Sequence, residues 1–274
     1  MKFADLHIHT KFSDGTYSPE ELINQAARVG LDSIAITDHD TLDGVARTTE
    51  AAREKNIEVI SAIELTAQYN GLEVHILGYF IDYSSSTLIK KLAVLKEVRR
   101  ERIYKMVDKL KKMNIDIEAE QVFKISGSGT VGRLHLARAL LEAGYVDSIY
   151  RAFHKYIGDQ SPAYICGFRF NPLEAIKLIR DYGGIAVLAH PLSLKRDDLI
   201  PLFVEYGMRG LEVYYPEYAK TMTDYYSSLA DKYKLLITGG SDFHGDAKPE
   251  VKLGSIKLPY ALVEKLKEEK SKLK

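Results

Sequence analysis

The chain has 274 residues, and its 38 lysines and arginines balance 38 aspartates and glutamates, so no net field directs it to nucleic acid or to a membrane. The single cysteine, Cys166, excludes an intramolecular disulfide and fits a reducing compartment. With neither a signal segment nor an apolar run of bilayer length, the sequence predicts a soluble, cytoplasmic protein with no membrane partner, and we infer no obligate protein partner.

Apolar runs of strand length alternate with segments of helical period, which favours an α/β fold built on a parallel sheet or barrel. The first strand is predicted at Phe3–Ile8, and the capping box at 18–21 opens a helix that reaches about Val29. A second capping box opens a helix at Asn171, and the last helix begins near Pro259. The remaining strands are predicted at Ser33–Ile36, Val59–Ile63, Val74–Tyr79, Ile185–Leu188, Leu211–Tyr214 and Leu235–Thr238.

The alternation of strands and helices breaks between about Tyr83 and Pro162. Apolar positions from Leu88 to Leu110 mark one long amphipathic helix, and a further helix is predicted over 133–143 and closed by Gly144. We interpret residues 85–161 as an inserted helical domain that acts as a substrate lid. Residues 1–84 and 162–274 then form the catalytic barrel.

Residues able to bind metal ions recur at the ends of the predicted strands. His7 and His9 lie two apart on one face of the first strand, so both can grip one ion, and Asp14 follows in the next loop. The others are Asp38, His39, Asp40, Glu64, His75, His190, Asp242 and His244. Because the carboxyl ends of parallel strands meet on one rim, convergence is favoured over scattered structural histidines. Mixed nitrogen and oxygen ligands suit Zn²⁺, Mn²⁺ or Fe²⁺ better than Ca²⁺ or Mg²⁺.

Taken together, these motifs resemble those of the PHP (polymerase and histidinol phosphatase) superfamily. The resemblance is greatest to its TrpH-like branch of nucleoside-bisphosphate phosphatases and covers the whole chain. The motifs that carry it are DLHIHT, Ser13-Asp14-Gly15, Thr37-Asp38-His39-Asp40, Glu64, His75, Ala189-His190-Pro191 and Ser241-Asp242-Phe243-His244.

The resemblance implies a distorted (β/α)₇ barrel that holds two to three divalent ions, Mn²⁺, Zn²⁺ or Fe²⁺, in a trinuclear centre. It assigns one ion to His7, His9, Glu64 and Asp242. Glu64 then bridges to a second ion held by His75 and His190, and the third lies between Asp14, His39 and His244. Asp5, Asp38 and Asp40 are candidates for orienting the ligand histidines from behind.

The predicted insertion carries two further features. Gly132–Arg138 resembles a stretch that faces the substrate phosphate in the TrpH-like branch, with Leu134 where proline is usual, so Arg133 and His135 are expected to bind phosphate. Residues 88–112 contain ten lysines and arginines against three acidic residues. This basic helix is either a solvated surface or a wall that attracts polyanions.

The resemblance implies a metal-dependent phosphoesterase that removes the 5′-phosphate of small nucleotides, nucleoside 3′,5′-bisphosphates or AMP, by attack of a metal-activated hydroxide. One alternative is a 5′→3′ exonuclease on short 5′-phosphorylated RNA or DNA, which the basic insertion favours. Two others are a histidinol-phosphatase-like monoesterase and a non-catalytic metal-binding module. Tyr214 and Tyr215 are candidates for stacking on a base or for packing at the rim.

Overall fold

A computed structural model describes residues 1–166 and 170–273 of the chain. One eight-stranded sheet runs in the order β7-β6-β5-β4-β3-β2-β1-β8. Its strands are β1 Phe3–Ile8, β2 Ser33–Ile36, β3 Glu58–Tyr69, β4 Leu72–Tyr79, β5 Ile185–Leu188, β6 Gly210–Tyr214, β7 Leu236–Gly239 and β8 Leu258–Pro259. The predicted α/β barrel is confirmed.

The sheet curls until β1 meets the segment that follows β7. Ile8 forms a parallel bridge with Phe243, and the backbone N–H of His9 donates to the Phe243 carbonyl over 2.9 Å. A Cβ at Gly240 would lie 2.3 Å from the backbone nitrogen of His7, so only glycine permits this approach. The nearly closed barrel therefore places the beginning of the chain against its last third.

Eleven α-helices are seen in the described part of the chain. They are α1 Pro19–Val29, α2 Asp43–Ala52, α3 Ser86–Lys112, α4 Ala119–Ser126, α5 Arg133–Glu142, α6 Ile149–Ala152, α7 Pro172–Asp181, α8 Pro191–Leu194, α9 Ile200–Glu205, α10 Lys220–Tyr233 and α11 Ala261–Lys272. Both predicted capping boxes form, at Ser18 and at Asn171. None of these helices is long and apolar enough to cross a membrane.

The predictions were wrong about the middle of the sheet. Strand β3 continues to Tyr69 and turns through Asn70 and Gly71, which have φ angles of 49° and 85°, into the antiparallel strand β4. Glu64 consequently lies inside β3 rather than at a strand end. Strand β8, which pairs antiparallel with β1, was not predicted, and the last helix begins at Ala261.

The helices of the predicted insertion enclose a hydrophobic cluster separate from the barrel core, with Ile103 and Leu110 from α3 buried inside it. The first turns of α3 behave differently, because Leu88 and Leu92 pack on the barrel core. Helix α3 thus contributes side chains to both the barrel core and the separate hydrophobic cluster. At its midpoint, the Arg99 Nε atom lies 2.6 Å from an Asp40 oxygen, and both side chains are at least 94% shielded.

We expect Arg99→Met to lower the free energy of unfolding by about 3–5 kcal/mol, because it leaves the Asp40 carboxylate buried without its partner. Lys105→Met on the same helix is the control. Its exposed pair with Glu101, at 4.0 Å, contributes less than about 1 kcal/mol. Urea unfolding measures the free energy of unfolding of both variants. Equally small decreases in the two variants would contradict the role assigned to Arg99.

Candidate metal centre

Strand β1 delivers two histidines to the centre of the barrel rim. The side chains of His7 and His9 are fully buried, and their ring centroids lie 5.2 Å apart. This is the same-face arrangement expected for residues i and i+2 of a strand. Both Nε2 atoms point to Glu64 of β3, which is separated from β1 by β2 in the sheet.

Five histidines surround the carboxylate of Glu64. Its Oε2 atom lies 3.2 Å from His9 Nε2 and 3.3 Å from His7 Nε2 and from His39 Nδ1, and its Oε1 atom lies 2.8 Å from His75 Nδ1 and 3.1 Å from His190 Nε2. Burial alone would raise the pKa of Glu64, but the surrounding imidazoles hold it well below its usual range. Burial opposes a charged His75, yet Glu64 and Glu73 raise its pKa to about 10. The carboxylate is therefore ionised and requires cations around it.

A second group of ligands adjoins the first. Asp14 Oδ1 lies 3.3 Å from His244 Nε2, and Asp242 Oδ1 lies 3.2 Å from His9 Nε2. All nine residues predicted as metal ligands thus converge on one rim. His75 reaches it from the beginning of β4, because an antiparallel strand starts where its neighbour ends.

The geometry of these side chains fits divalent metal ions. Three groups have ligand atoms within 4.8 Å of one another: His9, Asp14, His39 and His244; His7, His9 and Asp242; and His39, Glu64 and His75. The buried atoms His7 Nε2, His9 Nε2 and His39 Nδ1 make no hydrogen bond to a described residue. Such atoms are costly unless a ligand takes their lone pairs. An imidazole and carboxylate donor set suits first-row transition ions.

Several histidines are held so that one ring nitrogen faces the centre. His7 Nδ1 lies 2.8 Å from a Glu212 oxygen, and His190 Nδ1 lies 2.8 Å from the Ser193 hydroxyl. The other Glu212 oxygen accepts a hydrogen bond from the backbone N–H of His190. Carboxylates that fix an imidazole in this way also make it a more basic ligand.

Sequence reasoning missed Glu212, although a signal was present. It stands between Leu211 and Val213 in an apolar strand, where a carboxylate is stable only with buried partners. Glu73 was missed too. One of its oxygens lies 3.1 Å from His75 Nε2, and its position beside a ligand histidine on β4 was the only cue.

The three aspartates expected to orient ligand histidines contact mainly the backbone and side chains around them. Asp5 accepts hydrogen bonds from the backbone of Ser241 and Gly254, and burial raises its pKa to about 6. Asp5 also accepts a hydrogen bond from the backbone N–H of His7 over 3.4 Å, and the Ser13 hydroxyl lies between Asp38 and His9 Nδ1. Asp38 accepts from Thr10 and Ser13, which shapes the loop that carries Asp14. Asp40 pairs with Arg99, so these carboxylates fix the backbone around the ligands.

Backbone strain is concentrated at this rim. Asp40, His190 and Asp242 have φ angles of 52°, 24° and 51°, a region that non-glycine residues rarely occupy. Each such residue costs of order 1–3 kcal/mol, which the surrounding fold must offset. The strain aims side chains inward at turns where relaxed backbone would not.

The insertion lines the cleft above the metal ligands with arginines. Glu73 lies 2.9 Å from Arg102 and 2.9 Å from Arg133, and Arg133 also contacts Asp159 at 2.6 Å. Arg133 therefore reaches the cleft, which has a volume of about 630 Å³. His135 is buried instead, and its Nδ1 accepts a hydrogen bond from the backbone of Gly132.

The outer oxygen of Asp242 is held by two side chains that border the cleft. The Lys248 ammonium lies 2.9 Å from Oδ2, and the Tyr215 hydroxyl donates to the same atom over 2.8 Å. The inner oxygen, Oδ1, is left facing His7 and His9. The Oδ2 atom of Asp242 thus fixes the side chain in place, and its Oδ1 atom is free to face the candidate metal site.

A sequence model of the PHP domain matches residues 5–237 of the chain. Over 252 residues the chain is 31% identical to a phosphoribosyl 1,2-cyclic phosphate 1,2-diphosphodiesterase of Eggerthella lenta, covering 88% of this chain and 94% of the relative. A 5′-3′ exoribonuclease of Haemophilus influenzae is 33% identical, with 89% and 90% covered. A 3′,5′-nucleoside bisphosphate phosphatase of Chromobacterium violaceum is 30% identical, with 89% and 88% covered.

The fold of the chain is also similar to that of solved structures. A protein of Bifidobacterium adolescentis, described as a metal-dependent phosphoesterase, superposes with a TM-score of 0.88 at 32% identity. The match covers 96% of this chain and 94% of that one. The match therefore includes most of the barrel strands and most of helices α3 to α6.

We expect Glu212→Ala to weaken Mn²⁺ binding by about 10–100-fold, because His7 loses the carboxylate that orients its ring. Glu212→Gln keeps the size and one acceptor, so its loss is expected to be smaller. Titration calorimetry measures both affinities, with Glu205→Ala on the exposed end of α9 as the control. An unchanged affinity in Glu212→Ala would contradict the role given to Glu212.

Metal binding is also expected to stabilise the fold. Mn²⁺ at about one hundred times its Kd adds about 2.7 kcal/mol to the free energy of unfolding, since the assembled site exists only in the folded chain. The shift in urea midpoint should be abolished by EDTA and strongly reduced in His9→Ala. A shift of equal size in His9→Ala would place the ion elsewhere.

Proposed function

The chain belongs to the PHP domain family and is a metal-dependent phosphoesterase, and within that class we propose that it removes the 5′-phosphate of small nucleotides, among them nucleoside 3′,5′-bisphosphates and AMP. The observation that carries the proposal is the ionised, buried Glu64 ringed by five histidines at the floor of a cleft whose walls hold arginines. Such a floor binds cations, and such walls attract a phosphate.

For the ions we propose the following ligands. His7, His9, Glu64 and Asp242 hold the first, Glu64, His75 and His190 the second, and Asp14, His39 and His244 the third. When bound, divalent ions at such a site lower the pKa of water toward neutrality and neutralise charge that develops on the phosphoryl oxygens. Hydrolysis then forms a phosphorus–oxygen bond to water and breaks the bond to the 5′ oxygen, which leaves as the nucleoside hydroxyl with a proton.

The protein's own residues orient the reactants. Glu212, Ser193 and the backbone of Asp242 hold the Nδ1 sides of ligand histidines, so the Nε2 sides face inward. Arg102 and Arg133 stand over the same cleft from the insertion, which we propose acts as the substrate lid at residues 85–161. Their present partner is Glu73, so an incoming phosphate competes with this carboxylate for the arginine donors.

Within this arrangement Arg133 is proposed to bind the substrate phosphate. His135 has a weaker claim, because it is buried, its Nδ1 is engaged by Gly132, and burial lowers its pKa to about 4. A neutral imidazole at that place supports the start of α5 and the loop above Asp14. We therefore assign His135 to shaping the phosphate site from below.

A second candidate is a 5′→3′ exonuclease on short RNA, which the 33% identical relative named as an exoribonuclease favours. The basic face of α3 gives this candidate less support than its composition suggests. Several of its charges are paired within the helix, as in Arg100 with Glu97 and Lys105 with Glu101, while Arg99 and Arg102 are buried.

The proposal is tested by phosphate release from four compounds: 3′-phosphoadenosine 5′-phosphate, AMP, histidinol phosphate and a 5′-phosphorylated RNA tetramer. The protein is stripped of metal with a chelator and reloaded with Mn²⁺. Preference for the bisphosphate or AMP supports the proposal, and preference for the tetramer supports the exonuclease. Preference for histidinol phosphate, or no turnover with metal bound, overturns both.

We expect Glu64→Gln to reduce kcat by at least about a thousandfold, because the amide lacks the charge that holds the cations together. Circular dichroism should report an intact fold. Glu205→Gln is the matched control and should retain activity. Substantial turnover by Glu64→Gln would remove Glu64 from the centre of the reaction.

A further inference from the structure

A second cavity of about 860 Å³ opens directly from the metal cleft. It lies between helices α5 and α6 of the insertion on one side and the loop that follows β7 on the other. The two cavities share six residues in their walls: Leu134, Phe153, Tyr215, Glu217, Asp242 and Lys248. We call this cavity the side groove. Any phosphoester seated on the metal ligands has the side groove as a neighbour.

Three of the side chains shared with the metal cleft are apolar or aromatic, those of Leu134, Phe153 and Tyr215. Phe153 begins a single π-helical turn at Phe153–Ile157, a local distortion that is frequent at functional sites. Tyr215 lines the same two cavities, and its hydroxyl donates a hydrogen bond to Asp242. Flat apolar side chains of this kind stack on a nucleobase whatever its identity.

The rim of the side groove is acidic. Five exposed carboxylates line it, those of Glu142, Asp147, Glu217, Asp246 and Glu250. Within residues 1–166 and 170–273, no ion pair shorter than 4.0 Å is found for any of the five. Two cations line the groove, Arg138 and Lys248, and Lys248 is already paired with Asp242. Of the five, Glu217 also lines the metal cleft, whereas the other four line the side groove alone. Most of the unpaired negative charge of the groove therefore lies away from the metal cleft.

The geometry points to the side groove as the subsite for the leaving group, with room for one nucleoside. The negative charge of its rim disfavours the binding of an oligonucleotide. A base that stacks between Phe153 and Tyr215 leaves its 3′ side toward the acidic rim. The 3′-phosphate of a nucleoside bisphosphate has the Arg138 guanidinium in the same groove as a partner. The phosphates further along an RNA strand would meet the rim carboxylates at short range, where like charges repel most. This inference rests on the proposed nucleotide phosphatase activity and sets its substrate length.

The test compares kcat/KM for AMP and for the 5′-phosphorylated RNA tetramer, with the Mn²⁺-loaded protein at low ionic strength. The wild-type chain is expected to prefer AMP by about tenfold or more. The variant Glu142→Lys/Glu250→Lys reverses charge on opposite sides of the groove. It is expected to raise the tetramer-to-AMP ratio by about tenfold, and added salt should shrink this change.

Glu205→Lys is the matched control, since it makes the same charge change on an exposed residue of α9 and should leave the ratio unchanged. A second variant, Phe153→Ala, is expected to raise KM for AMP about tenfold or more through lost stacking. The KM for p-nitrophenyl phosphate, which carries no nucleoside, should move less.

The outcomes separate this inference from the proposed function. If AMP is hydrolysed but the RNA tetramer has an equal kcat/KM, the side groove assignment is overturned and the proposed phosphatase activity stands. The same conclusion follows if the tetramer-to-AMP ratio of kcat/KM does not change in Glu142→Lys/Glu250→Lys. An equal effect of Glu205→Lys also overturns it, because the response would then reflect net charge. Absence of AMP and p-nitrophenyl phosphate hydrolysis, with metal bound, overturns the proposed function and this inference together.

Discussion

A carboxylate without access to water must be matched by positive charge, and Glu64 imposes this condition on the whole rim of the barrel. Five histidines from β1, the ends of β2 and β5, and the start of β4 meet that condition at 2.8–3.3 Å. Metal ions supply this positive charge better than protonated histidines do, because one ion can be coordinated by several ligand atoms at once. The strained backbone at Asp40, His190 and Asp242 is tolerated because the same cluster over-determines where each side chain points.

Buried carboxylates outside the histidine cluster are likewise paired with positive charge, here with arginines of helices α3 and α5. Arg99 reaches down to Asp40, while Arg102 and Arg133 converge on Glu73. Each contact joins a helix of the insertion to a strand or loop of the barrel. Helices α3 and α5 are therefore tied to the barrel by ion pairs that are largely shielded from water.

Much of this arrangement was predictable from the sequence, because local signals agreed with the fold. The capping boxes at Ser18 and Asn171 and the alternation through Phe3–Ile8 needed no long-range information. The β3–β4 hairpin was missed because Thr66, Ala67 and Gln68 carry a weak strand pattern that only pairing with β4 stabilises. Glu212 and Glu73 left only weak local signals, because partners such as His7 for Glu212 and Arg133 for Glu73 lie far away in the sequence.

The contact of β1 with the segment around Phe243 has a consequence for biosynthesis. The ribosome releases β1 more than two hundred residues before Phe243, and until then that strand has no neighbour on its closing side. His7 and His9 are then two histidines on an exposed strand, without Asp242 or His244 to complete their coordination. The full set of candidate ligands can therefore form only after the segment that carries Asp242 and His244 has also been released to fold.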